Sequence, residues 1–171
     1  MRDDALLRLV VVAAYGLGAL LSFAASRKAT GREHRAWLGA GVILALLATG
    51  KLLNVQDEVT GLARSAAKFV GWYEFHREAQ AIFALVIVLA AIGLGQMLAR
   101  WLRDCGIEAR AAAAAIFALI LFLAIRAASI HDMDAWTTSH FAGMRRGWWV
   151  ELAASAAVCV AAARRLRRGA G

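Results

Sequence analysis

The chain has 171 residues, of which 61% are apolar, against roughly 45–50% in an average soluble domain. Its mean hydropathy of +0.60 points the same way, and together they exclude a water-soluble fold of this size. The formal charge of +8 would suit nucleic acid in a soluble protein. Here Lys and Arg flank apolar runs in short clusters, the pattern that orients a chain in a membrane. No basic-aromatic stripe interrupts it, so nucleic acid is not an expected partner.

The first apolar run, residues 5–25, contains 21 residues with Arg8 as its only charge. At about 1.5 Å per residue it matches the roughly 30 Å hydrocarbon core. It follows Met1-Arg-Asp-Asp with no small-residue cleavage site before polar sequence, so it reads as a span and not as a cleaved leader. Residues 37–55, with Lys51 near the far end, form the second expected span, and residues 80–98 the third. Residues 111–130, carrying Arg126, form the fourth, and the alanine-rich residues 147–163 the fifth.

Between spans two and three, Leu62, Ala66, Phe69, Val70 and Tyr73 recur at helical spacing with Arg64, Ser65 and Lys68 on other faces. Residues 56–79 therefore read as an interfacial helix ending near Trp72 and Tyr73, whose rings suit the headgroup zone. The expected fold is an all-α integral membrane protein. It is a single domain, a compact bundle of five transmembrane helices with one interfacial amphipathic helix.

Orientation follows from the connections. With the N-terminus outside, the inner face holds Arg27, Lys28, Arg32, Arg35, Arg100, Arg103, Arg110, Arg164, Arg165, Arg167 and Arg168, eleven in all. The outer face holds six: Arg2, Arg64, Lys68, Arg77, Arg145 and Arg146. The asymmetry predicts a multi-pass inner-membrane protein, N-terminus outside and C-terminus cytoplasmic. The basic C-terminal run would lie outside if the fifth segment did not span, so charge argues that it does.

Proline is absent, which favours nearly straight helices over the broken ones of alternating-access carriers. The pairs Gly16/Gly18, Gly39/Gly41 and Gly93/Gly95 and the alanine run 111–115 would let helices approach closely. Cys105 in a short loop and Cys159 in an apolar run have different settings, which argues against a disulfide or a Cys-based zinc site.

Arg8, Lys51 with Asn54, Arg126 with Ser129, and Glu151 fall at similar depth near the outer ends of four spans. Charge inside a membrane is costly and commonly faces a bundle interior or polar cavity, although near a helix end Lys and Arg also snorkel. Arg126, Glu151 and Lys51 are expected to share one buried polar network.

The outer connections add Gln56, His76, Arg77 and Gln80 from one side and His131, Asp132, Asp134 and His140 from the other. Two chemistries could use this set. His76, His131, Asp134 and His140 are donors for zinc or another divalent metal, without any specific ligand spacing. Haem is disfavoured, because no histidine lies well inside a span.

The second chemistry is anion recognition by Arg8, Lys51, Arg126 and Arg77, whose guanidinium forks and ammonium suit phosphate or carboxylate. Asn54, Gln56, Gln80 and Ser129 would complete the hydrogen bonding, with Glu151 balancing charge. For catalysis, His131 with Asp134 is the best general-base pair by type and Ser129 the best nucleophile. His76, His131 and Asp134 are expected to converge over Arg126, Lys51 and Asn54.

The functional expectation is a membrane-embedded enzyme or binding protein for an anionic lipid headgroup or small anionic substrate at the outer face. The alternative is an accessory or assembly subunit of a larger membrane complex. The implied partners are membrane lipid and either a second membrane protein or a further copy of the chain. His34, in the basic inner loop, reads as a solvated residue.

Overall fold

Uninterrupted apolar sequence without proline forms long helices, and five of them organise the described residues of a computed structural model. It describes residues 2–53, 76–128, 140–141 and 144–168, with side chains placed at 6–53, 85–86, 88–125 and 146–168. The helices are α1 (Arg2–Arg27), α2 (Gly31–Leu52), α3 (His76–Trp101), α4 (Ile107–Ala128) and α5 (Arg146–Arg168). Two-residue strands β1 (His140–Phe141) and β2 (Met144–Arg145) pair antiparallel just before α5, with His140 opposite Arg145.

The α1–α2 link is short. Lys28 N–H donates to the Ala25 carbonyl (3.1 Å) and Ala29 N–H to that of Ser26 (3.2 Å), tightening the last turn of α1. Gly31 at φ 58° then occupies the left-handed region, where a β-carbon is strained. His34 is half-buried and not simply solvated: its Nδ1 lies 2.8 Å from the Ser26 carbonyl oxygen. A carbonyl only accepts, so the proton of that bond is on Nδ1.

Helices α1, α2, α4 and α5 close a four-helix ring in which α2 and α5 are diagonal partners. Helix α3 lies outside the ring and touches α4. Buried stripes recur at helical spacing. Val11, Tyr15, Ala19, Ser22 and Ser26 line α1; Trp37, Ala40, Leu44, Ala48 and Lys51 line α2; Trp148, Glu151, Ser155, Val158 and Ala162 line α5. Side chains three and four apart share a helix face, so each stripe turns one face to the ring. The outer faces remain apolar, with Leu20, Leu46, Leu89, Met97 and Ile120 exposed, as in a protein whose surroundings are lipid.

Three helices among the described residues are long and apolar enough to cross a membrane: Leu6–Arg27, Gly31–Leu52 and Ile107–Ile125. Apart from the β1–β2 hairpin the described residues are thus helical, a membrane protein with three candidate spans among them, where five were expected. Helix α5 falls short by composition, since Glu151 and the arginines from 164 onward leave too little uninterrupted apolar length. In α3 the described apolar stretch is the shorter Val88–Trp101. The proposed interfacial helix falls almost entirely on residues 54–75, outside the described residues.

The glycine pairs do not act as pairs. A β-carbon on Gly41 would lie 2.6 Å from the Phe23 ring and one on Gly18 2.9 Å from Leu44, so α1 and α2 approach closely there. Gly16, Gly39 and Gly93 meet nothing within 4 Å. Two residues along a helix turn the chain by about 200°, so only one glycine of each pair can face a given neighbour.

Candidate functional site

At the end of the ring formed by the start of α1, the end of α2 and the start of α5, five polar or aromatic side chains meet. Glu151 lies one turn into α5 and is fully buried. Its Oε2 accepts a hydrogen bond from Tyr15 Oη at 2.8 Å. The same oxygen is ion-paired with Lys51 Nζ, which is 7% exposed. The Lys51 ammonium also stands 6.0 Å from the Trp148 ring centroid, within cation–π range. Trp148 is buried against this network, and Trp149 is exposed.

Arg8 adds a second cation. Its Nε donates to the Lys51 carbonyl at 2.8 Å, and Nη2 donates to the same carbonyl and to that of Leu52 at 3.3 Å. These carbonyls belong to the last turn of α2 and have no intrahelical donor, so a guanidinium both satisfies them and meets the negative end of the helix dipole. Ser155 Oγ donates to the Glu151 carbonyl at 2.8 Å.

Lys51 and Glu151 thus come together as expected. Tyr15 was missed, although it stands seven residues after Arg8 and so on the same helix face two turns on. Arg126 lies in the last turn of α4, while Arg77, Gln80 and His76 lie in the first turns of α3; their side chains are outside the described set, as is that of His140 in β1. Asn54, Gln56, Ser129, His131 and Asp134 fall outside the described residues. The expected convergence of His76, His131 and Asp134 lies outside them too. Among the described residues, no three His, Cys, Asp or Glu side chains stand close enough to hold a metal ion.

The opposite end carries ion pairs as well. Arg165 Nε pairs with Glu33 Oε1 at 2.7 Å, and Trp37 Nε1 donates to the same oxygen at 3.4 Å. Arg168 pairs with the buried Glu108, and Arg32 with Asp104 at 3.0 Å. Cys105 is buried beside them. Its thiol pKa is raised by burial first, then by the negative charges of Glu33 and Asp104. A thiol held neutral in this way is a packing residue and a poor nucleophile.

Two ion pairs therefore bind the diagonal helices α2 and α5, Lys51–Glu151 at one end and Glu33–Arg165 at the other. Comparison of the chain with protein-family models, with curated proteins and with solved structures gave no match.

Proposed function

We propose that the protein is a membrane-embedded binding protein or enzyme that acts on an anionic lipid headgroup or a small anionic substrate. The working end is the one where Arg8, Lys51, Trp148 and Glu151 meet. The observation that carries this reading is the charge layer itself, two cations and one carboxylate held together by three helices. Ionisable groups at such a position are functional candidates by default.

Lys51 is neutralised by Glu151, so this pair acts as the floor of the site. The half-buried Arg8, already turned to the end of α2, is the cation that would meet a phosphate or carboxylate. Residues 54–75 leave the chain at the end of α2, and residues 129–139 connect α4 to the hairpin before α5. Both connections therefore open from the end that carries the charge layer, and both concentrate candidate ligands: Asn54 and Gln56 in the first, Ser129, His131 and Asp134 in the second.

The same reading takes all five helices as spans, in the inner membrane, with the N-terminus outside. Helix α5 pairs with both ends of α2, so it covers the depth of a helix that itself qualifies as a span. Eleven basic residues in one set of connections against six in the other set the direction.

The test is titration of the protein in lipid nanodiscs with glycerol phosphate, a soluble analogue of a lipid headgroup. Binding is expected for the wild type and lost in Arg8→Gln, His131→Ala and Asp134→Ala variants that still insert. A second reading, an accessory subunit, draws on the loose attachment of α3, which leaves Leu85, Val88, Ile92 and Met97 exposed outside the ring. It takes over if no variant changes binding but a co-purifying membrane protein is lost.

A further inference from the structure

A cleft of about 290 Å³ runs between α2, α3 and α4. Among the described residues its walls are apolar side chains and glycine, and Arg35 is the only charged residue that lines it. Along α2 the lining extends from Arg35 to Ile43, eight residues or about 12 Å of helix. That is close to the depth of one leaflet, half of a hydrocarbon core of about 30 Å. Trp101 and Leu102, at the end of α3, flank the mouth, and Ile120 lies at the deep end on α4.

Arg32, Arg165 and Arg168 at the same end have carboxylate partners, Asp104, Glu33 and Glu108, whereas Arg100 and Arg103 beside the mouth, like Arg35, have no ion pair among the described residues. Arg35 is exposed and makes no ion pair or side-chain hydrogen bond among the described residues. A half-buried Trp at the mouth suits the headgroup level. The combination is a slot one leaflet deep, apolar inside, with the Arg35 guanidinium in its lining at the level of the phosphates. A helix of 10–12 Å diameter would not enter a space of this size, whereas a single hydrocarbon chain would.

We infer that the α2–α3–α4 cleft binds one acyl chain of an anionic glycerophospholipid from the leaflet on the Arg35 side, with the phosphate on Arg35. This site lies at the opposite end from the charge layer and does not depend on the function proposed for that layer. Its role is to hold α3 to the ring through lipid, which accounts for a helix that packs against α4 so lightly.

Gly39 supplies a clean test. It lines the cleft, and a β-carbon there would meet nothing within 4 Å, so this position accepts a side chain, and a large one is expected to take up cleft volume. The protein is placed in nanodiscs of equal phosphatidylglycerol and phosphatidylcholine, then released and weighed by native mass spectrometry. The wild type is expected to retain one phospholipid, enriched in phosphatidylglycerol by about five-fold, the factor given by one basic residue near an anionic surface. Gly39→Phe should lose the retained lipid, and Arg35→Gln should keep a lipid but lose the enrichment. Helical content and melting temperature show whether each variant is folded; should Gly39→Phe fail to fold, the exposed Arg35→Gln carries the test. The inference is overturned if the wild type retains no lipid, if a folded Gly39→Phe retains as much as the wild type, or if Arg35→Gln leaves the enrichment unchanged. A second copy of the chain or another protein in place of the lipid would overturn it equally.

Discussion

Replacing Glu151 by Gln removes a countercharge and little else. The side chain keeps its size and an acceptor oxygen, so the bond from Tyr15, now 2.8 Å long, can persist. Lys51 loses this carboxylate in a site where it is 7% exposed. Removing one member of a buried ion pair costs about 3–5 kcal/mol. Lys51 is near the end of α2 and can reach partway toward water by extending its stem, so the lower limit applies. At 1.4 kcal/mol per tenfold, a loss of about 3 kcal/mol lowers the folded-to-unfolded ratio by about a hundredfold.

Lys51→Met should cost a similar amount by leaving Glu151 charged and fully buried, while the α2 carbonyls that hold Arg8 remain. The double variant Lys51→Met/Glu151→Leu removes both charges, and such replacements are often neutral or stabilising by about 1–4 kcal/mol. It should therefore be more stable than either single charge-removing variant. Equilibrium unfolding in mixed detergent–lipid micelles, arranged as a double-mutant cycle, measures all of these. Single variants within about 0.5 kcal/mol of wild type, the ordinary range for surface changes, together with an additive double, would refute the buried-pair reasoning.

The close approach of α1 and α2 makes Gly41→Ala destabilising by about 1–3 kcal/mol, as expected of overpacking against Phe23. Gly39→Ala, in open space, should instead gain up to about 1 kcal/mol of helix propensity; equal effects at the two positions in a melting assay would count against the packing. Alkylation of Cys105 by a thiol reagent in a Cys159→Ala background should rise only at pH above the ordinary thiol range, because burial, Glu33 and Asp104 favour the neutral form. Asp104→Asn should move that profile down. The sign for stability follows: the folded state holds the proton more tightly, so this contribution is intact below the ordinary thiol value and is lost as pH climbs through the raised one. Single-cysteine labelling in intact cells should mark Ser139→Cys from outside and spare Thr30→Cys; the reverse pattern inverts the proposed orientation.

Several elements were legible because they depend on properties that act along one helix. Apolar length and the absence of proline define α1, α2 and α4 as candidate spans, since a chain in lipid must satisfy its backbone internally. The depth of Lys51 and Glu151 in their runs placed them in one layer, because depth follows from counting residues at a constant rise. Helix α5 was harder. Its alanine-rich stretch, interrupted by Glu151 and closed by arginines, satisfies an orientation argument but not a hydropathy threshold, and these two criteria weigh the same charges with opposite sign.

Composition and spacing by themselves determined a helical membrane protein, basic clusters at one set of ends, and a charge layer near the other. Only the tertiary structure decided which helices are neighbours. The ring order makes α2 and α5 diagonal partners, so that Lys51 meets Glu151 and Glu33 meets Arg165. It also brings Tyr15 to the carboxylate, turns Gly41 toward Phe23 while Gly39 faces the cleft, and leaves α3 outside. Sequence periodicity gives each helix a buried face but no direction for it, and apolar faces are nearly interchangeable as partners. The pairing is selected by the side chains that must meet across the bundle: a long cation reaching a carboxylate it would otherwise leave buried and charged, and a glycine where a ring must fit.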